Sequence, residues 1–95
     1  MRTEDKNKVF RELDDDKLLA LVIYGEARGE SYGGKVGVAS VILNRLKKGG
    51  WFGKTIKDVI LKPFQFSCFN DNDPNRLKLL AIALAWDMFY KKDLV

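Results

Sequence analysis

The chain contains no histidine and a single cysteine, Cys68, among its 95 residues. Without histidine, Ser-His-Asp and Cys-His nucleophile systems and histidine-containing zinc sites are excluded. One cysteine makes neither an intrachain disulfide nor a multi-thiolate metal site, and no metal or cofactor is expected. Cys68 lies in the apolar stretch Phe66-Ser67-Cys68-Phe69 with no evident base partner, and it reads as a buried, inert thiol. No apolar run approaches the roughly 20 residues of a membrane span, so stable membrane insertion is not expected. Met1-Arg2-Thr3-Glu4-Asp5-Lys6 lacks the apolar stretch of a secretory signal. Linkers, repeats and low-complexity segments are also lacking. Basic residues are scattered rather than gathered in a block, which argues against a dedicated nucleic-acid helix, and no nucleic-acid partner is expected.

With 46% hydrophobic and 32% charged residues, the composition is that of one small globular domain over residues 1–95, its first ~12 residues a flexible lead-in. The net charge of +4 attracts anionic polymers, among them nucleic acid, membrane surfaces and bacterial cell wall. The pattern is mainly α. A first helix begins at Asp14-Asp15-Asp16, acids suited to the positive helix end, and runs to about Ala27. Arg28 to Gly34 reads as a turn in which glycines supply unusual backbone angles. A second helix, from Lys35 to about Lys48, is apolar on most of its circumference and is expected in the middle of the fold. Thr55 and Asp58 resemble a capping box for a short helix that Pro63 stops. Residues 64–69 alternate as an extended or hairpin segment. Asp73 and Pro74 open a last helix whose core-facing stripe is read as Leu77, Leu80, Ala81, Leu84, Ala85 and Met88. Asp71-Asn72-Asp73-Pro74-Asn75 lacks the glycine and distal Glu of a calcium loop and reads as helix capping.

Carboxylates are the reactive groups that remain, and Glu26 stands out. The apolar run Leu18-Leu19-Ala20-Leu21-Val22-Ile23-Tyr24 delivers it to a helix C-terminus. Exclusion of water by that flank and the negative end of the helix dipole would both favour its neutral, proton-donating form. That is the property of a general acid. The competing reading is a salt bridge from Glu26 to Arg28 or Arg45 that anchors the helix end. Asn44 and Gln65 are the other polar interruptions of apolar elements, where a buried group must be paired or used.

Residues 21–45, with Tyr24-Gly25-Glu26-Ala27-Arg28-Gly29-Glu30 and Leu43-Asn44-Arg45, resemble the core motif of the bacterial and phage cell-wall hydrolases, the family that includes the spore-cortex-lytic enzymes. Val59-Ile60, Pro63 and Gln65-Phe66-Ser67 match that family's second signature. The resemblance implies an α+β lysozyme-like, mainly helical domain of about four helices. It implies peptidoglycan glycan strands as substrate and Glu26 as the catalytic acid of a lytic transglycosylase, which needs one carboxylate where hydrolysis with water usually needs two. Tyr24, Asn44, Gln65, Phe66 and Ser67 fall at family positions and would line the saccharide groove; Glu30 is placed with them on the substrate side, where it reads as a second acid or as a solvated charge of the turn. Trp51 or Phe52 could supply an aromatic platform, with core packing or loop cover as the alternative. Family members continue past the position of Val95, so part of the family domain is expected to be missing, with a dimer or a second polypeptide completing the groove. The place of action implied is the wall or spore cortex, reached from the host cytoplasm if the enzyme is a phage endolysin. The alternatives are an inactive or truncated wall-binding module, a muramidase that hydrolyses with water, and a basic nucleic-acid binder.

Overall fold

A computed structural model describes the backbone of residues 7–63 and 65–93 and the side chains as far as Trp86. Five α-helices are found among the described residues: α1 (Lys8–Arg11), α2 (Asp15–Ala27), α3 (Tyr32–Lys48), α4 (Ile56–Leu61) and α5 (Asn75–Asp93). Two single 3₁₀ turns, Gly50–Phe52 and Ser67–Phe69, complete the order. The chain is mainly α, as the sequence implies.

Local chemistry sets the helix ends. Asp15 and Asp16 occupy the first turn of α2, and Asp16 accepts the Lys17 N–H at 2.9 Å. Ser31 Oγ accepts the Gly34 N–H at 3.3 Å and starts α3 before Lys35, so Gly33 and Gly34 lie inside a helix rather than in a turn. The glycines with positive φ among the described residues are Gly49, Gly50 and Gly53, which shape the next loop. Thr55 Oγ1 accepts from the Asp58 N–H at 3.0 Å, as the capping box requires, and α4 ends at Lys62, whose ψ of 130° precedes Pro63. Asp73 Oδ1 accepts the Asn75 N–H at 2.8 Å, so the acidic loop caps α5.

The core is built around α2, which packs against α3, α4 and α5. Leu18, Leu21 and Val22 are buried there, joined by Ile42 of α3, Val59, Ile60 and Leu61 of α4, Phe66, Cys68 and Phe69 of the following turn, and Leu79 and Ala83 of α5. Fully burying one such side chain contributes roughly 1.5–3 kcal/mol. Within the lead-in, α1 places Phe10 in this core, edge-on to Phe69 with ring centroids 5.0 Å apart.

Three expectations are corrected. α3 is peripheral: of its side chains Ile42 is buried, with Val38 and Leu46 half-buried on the same stripe, while Val36, Val41 and Leu43 are exposed. Apolar content gave no choice of face, and α2 and α4 cover one face only. The stripe of α5 is rotated, since Leu79 and Ala83 are buried while Leu77 and Leu84 are exposed at 75% and 47%; Met88 lies outside the described side chains. Residues 65–69 form no hairpin. Phe66 is extended (φ −129°, ψ 113°) and leads directly into the 3₁₀ turn, while Phe64 lies outside the described residues.

Candidate active site

α2 ends after Ala27, whose carbonyl accepts the Glu30 N–H at 3.0 Å. Tyr24, Glu26, Arg28 and Glu30 therefore share one end of the core helix. The turn at Ser67–Phe69 is brought against that end from 42 residues away, and the Cys68 N–H donates to Glu26 Oε2 at 3.4 Å. This approach depends on Gly25. A Cβ at that position would stand 2.7 Å from Cys68 Sγ and 3.3 Å from Leu79 Cδ1. The glycine inside an apolar helical run is the sequence sign of such close packing, and it precedes the candidate acid by one residue.

Glu26 itself is exposed, not sealed by the apolar flank. The buried face of α2 runs through Leu18, Leu21, Val22 and Gly25, and one further residue rotates the side chain by about 100°, to the edge of that face. Water exclusion by the flank, expected from the sequence, does not hold. The competing salt bridge is also not formed: among the described residues Glu26 has no ion pair. Arg28 Nη2 donates instead to Asn75 Oδ1 at 3.3 Å, with its Cζ 5.2 Å from the Tyr24 ring centroid. Arg45 lies over two rings, 5.6 Å from Phe52 and 5.3 Å from Phe66, and its buried Nη1 has no hydrogen-bond partner among the described residues.

Cys68 is buried, as expected. Burial, then a hydrogen bond from the thiol to Glu26 and the charges of Glu26 and Asp73, push the thiol far up, so it stays neutral. The sulfur is no nucleophile, but Cys68 contacts the candidate acid through both its thiol and its backbone N–H.

The other predicted site residues are placed as follows. Tyr24 is 37% exposed beside Glu26 on the same helical turn. Ser67 is exposed and Gln65 half-buried in the turn that touches Glu26. Phe66 is buried, and its ring packs in the core beneath Arg45, so it offers no open face to a sugar. Asn44 is exposed on α3, and Glu30 is exposed at the start of that helix, folded over Gly34, where an added Cβ would meet Glu30 Cβ at 2.8 Å. No hydrogen bond joins either to Glu26 among the described residues. Sequence reasoning passed over Gly25 and the Cys68 N–H. A separate depression of about 650 Å³, lined by Asn7, Lys62, Pro63 and the 69–74 loop, includes none of the predicted residues.

The model of the cell wall hydrolase family matches residues 29–94, a segment that begins just after Glu26. Among curated proteins, the chain is 42% identical over 81 residues to the spore cortex-lytic enzyme of Oceanobacillus iheyensis, covering 78% of this chain and 29% of that protein. It is 40% identical over 81 residues to that of Bacillus subtilis (78% and 26%), and 47% identical over 58 residues to that of Halalkalibacterium halodurans (61% and 17%). The chain thus spans less than a third of the length of these relatives. No solved structure matches. On the match to most of its length, this chain belongs to the cell wall hydrolase family.

Proposed function

We propose that this chain cuts the glycan strand of peptidoglycan, at the cell wall or spore cortex, with Glu26 as its single acid and base. The observation that carries the reading is the state of Glu26: exposed, without an ion pair among the described residues, and touched by Cys68 through its N–H and its thiol. Such a carboxyl is reachable by a substrate.

The proton of Glu26 passes to the glycosidic oxygen as the bond from that oxygen to the anomeric carbon breaks. The resulting carboxylate then accepts the proton of the muramic acid 6-hydroxyl, while the 6-oxygen bonds to the anomeric carbon and closes an anhydro ring. Glu26 is thereby left protonated, as it began, and the cycle consumes neither water nor a proton from solvent. The Cys68 N–H supports the carboxylate stage through a charge-assisted hydrogen bond. Asp73 is engaged in capping α5, and a lone carboxylate at the helix end suits the one-carboxylate route. Tyr24, Asn44, Gln65, Ser67 and Glu30 are read as sugar-facing groups, with Phe66 supporting the turn from below.

The test is mass spectrometry of fragments released from purified peptidoglycan by the chain and by Glu26→Gln. Anhydro-muramyl ends from the native chain and none from the variant are expected. Reducing muramyl ends would overturn the transglycosylase route in favour of hydrolysis with water. No release with retained binding would make the chain a wall-binding module.

A further inference from the structure

Between the last turn of α3 and the end of α4, residues 47–62 carry Lys47, Lys48, Lys54, Lys57 and Lys62 against one acid, Asp58. Asp58 is committed to its own helix, where its carboxylate accepts the Lys54 backbone N–H at 3.3 Å. Lys57 is committed too, its ammonium donating to the Arg11 carbonyl at 2.7 Å. The ammonium groups of Lys47, Lys48, Lys54 and Lys62 have no ion pair among the described residues. Trp51, between Lys48 and Lys54 in the sequence, is 65% exposed. Lys62 Nζ lies 4.1 Å from its ring centroid, and Phe52 meets it edge-on at 5.2 Å. Gly49, Gly50 and Gly53, with φ of 67°, 59° and 119°, set the backbone that presents this indole.

An open indole with the Lys62 ammonium at its ring and three more lysines within four residues of it in sequence, none in an ion pair among the described residues, fits a polymer that offers flat apolar sugar faces and anionic groups at close spacing. We propose that Trp51 with Lys47, Lys48, Lys54 and Lys62 forms a second contact surface that holds the carboxylate-bearing glycan of peptidoglycan, the indole against a sugar ring and the lysines against stem-peptide carboxylates. The proposal rests on the reading of peptidoglycan as substrate and extends it to residues outside the Glu26 site. Phe52, Arg45 and Phe66 form a chain of edge-on and cation–π contacts from Trp51 to the turn that touches Glu26. Family membership favours the glycan over nucleic acid, which also combines stacking faces with negative charge.

The test uses the full chain carrying Glu26→Gln, so that binding is read without cutting. Co-sedimentation with teichoic-acid-free sacculi is measured at low and high salt, with circular dichroism of every variant. Trp51→Ala and the pair Lys54→Gln and Lys62→Gln, each in that background, should weaken binding about tenfold. Lys78→Gln, a charge loss on α5, should leave it unchanged. Amidating the sacculus carboxylates should reproduce the loss on the unsubstituted background, whatever the variants' folding. Equal binding to amidated sacculi, undiminished binding by folded variants, or preference for single-stranded DNA would each overturn the proposal. Failure of the glycan-cutting reading would appear separately, as absence of fragments from the native chain.

Discussion

Gly25 of α2 and Cys68 of the 67–69 turn approach so closely that a Cβ at Gly25 would stand 2.7 Å from the sulfur and 3.0 Å from the cysteine Cβ. The contact seats the turn whose N–H reaches Glu26, so packing beside the candidate acid and its hydrogen bonding are one arrangement. Gly25→Ala should destabilise the fold by about 1–3 kcal/mol through overpacking and lower glycan cleavage as the Cys68 N–H is displaced. Gly37→Ala, in α3 with nothing within 4 Å of an added Cβ, should instead stabilise by about 0.5–1 kcal/mol. Urea unfolding of both variants checks the pair; equal effects would contradict the close approach.

The rotated stripe of α5 makes a second contrast. Leu79 has no exposed surface and Leu77 is 75% exposed. Leu79→Ala should cost about 2–5 kcal/mol and Leu77→Ala no more than about 0.5 kcal/mol. A reversed order in thermal or urea unfolding would restore the phase read from the sequence.

The raised Cys68 thiol couples stability to alkaline pH. Below the ordinary thiol value of 9.0 both folded and unfolded chains hold the proton, and the contribution is fully present. As pH rises past that value the unfolded chain releases its proton first, so stability falls. Cys68→Ala should lose this part of the slope while carrying a pH-independent packing loss. Unfolding free energies of the two chains between about pH 8 and about pH 10.5 would converge with rising pH if the thiol is held neutral, and run parallel if it is not.

Arg45 combines two ring contacts with a buried Nη1 that lacks a partner among the described residues. Losing the cation–π contacts costs about 0.5–2 kcal/mol, whereas removing an unsatisfied buried donor relieves about 1–3 kcal/mol. Arg45→Met should therefore change stability by no more than about 1 kcal/mol. Thermal unfolding decides it, and a loss above about 3 kcal/mol would mean that the guanidinium has a partner in solution.

Helix class and helix ends were legible because they depend on near neighbours. The Thr55 and Asp58 box, Asp73 before Pro74 and the acids opening α2 act within one turn, and each stands where the sequence put it. The motif around Glu26 was legible for the same reason, as a run of residues read in order. Which apolar face is covered was not. α3 and α5 are apolar on too much of their circumference for periodicity to choose, and the choice falls to the elements that pack against them, which left Val41, Leu43 and Leu77 exposed and buried Ile42 and Leu79. Burial of Phe66 and exposure of Glu26 were set in the same way. The sequence alone determined a small helical domain with one outstanding carboxylate and no histidine or disulfide chemistry. Tertiary packing alone brought the Cys68 N–H to that carboxylate across 42 residues, because only a folded core can hold a turn against a helix at the one position without a side chain.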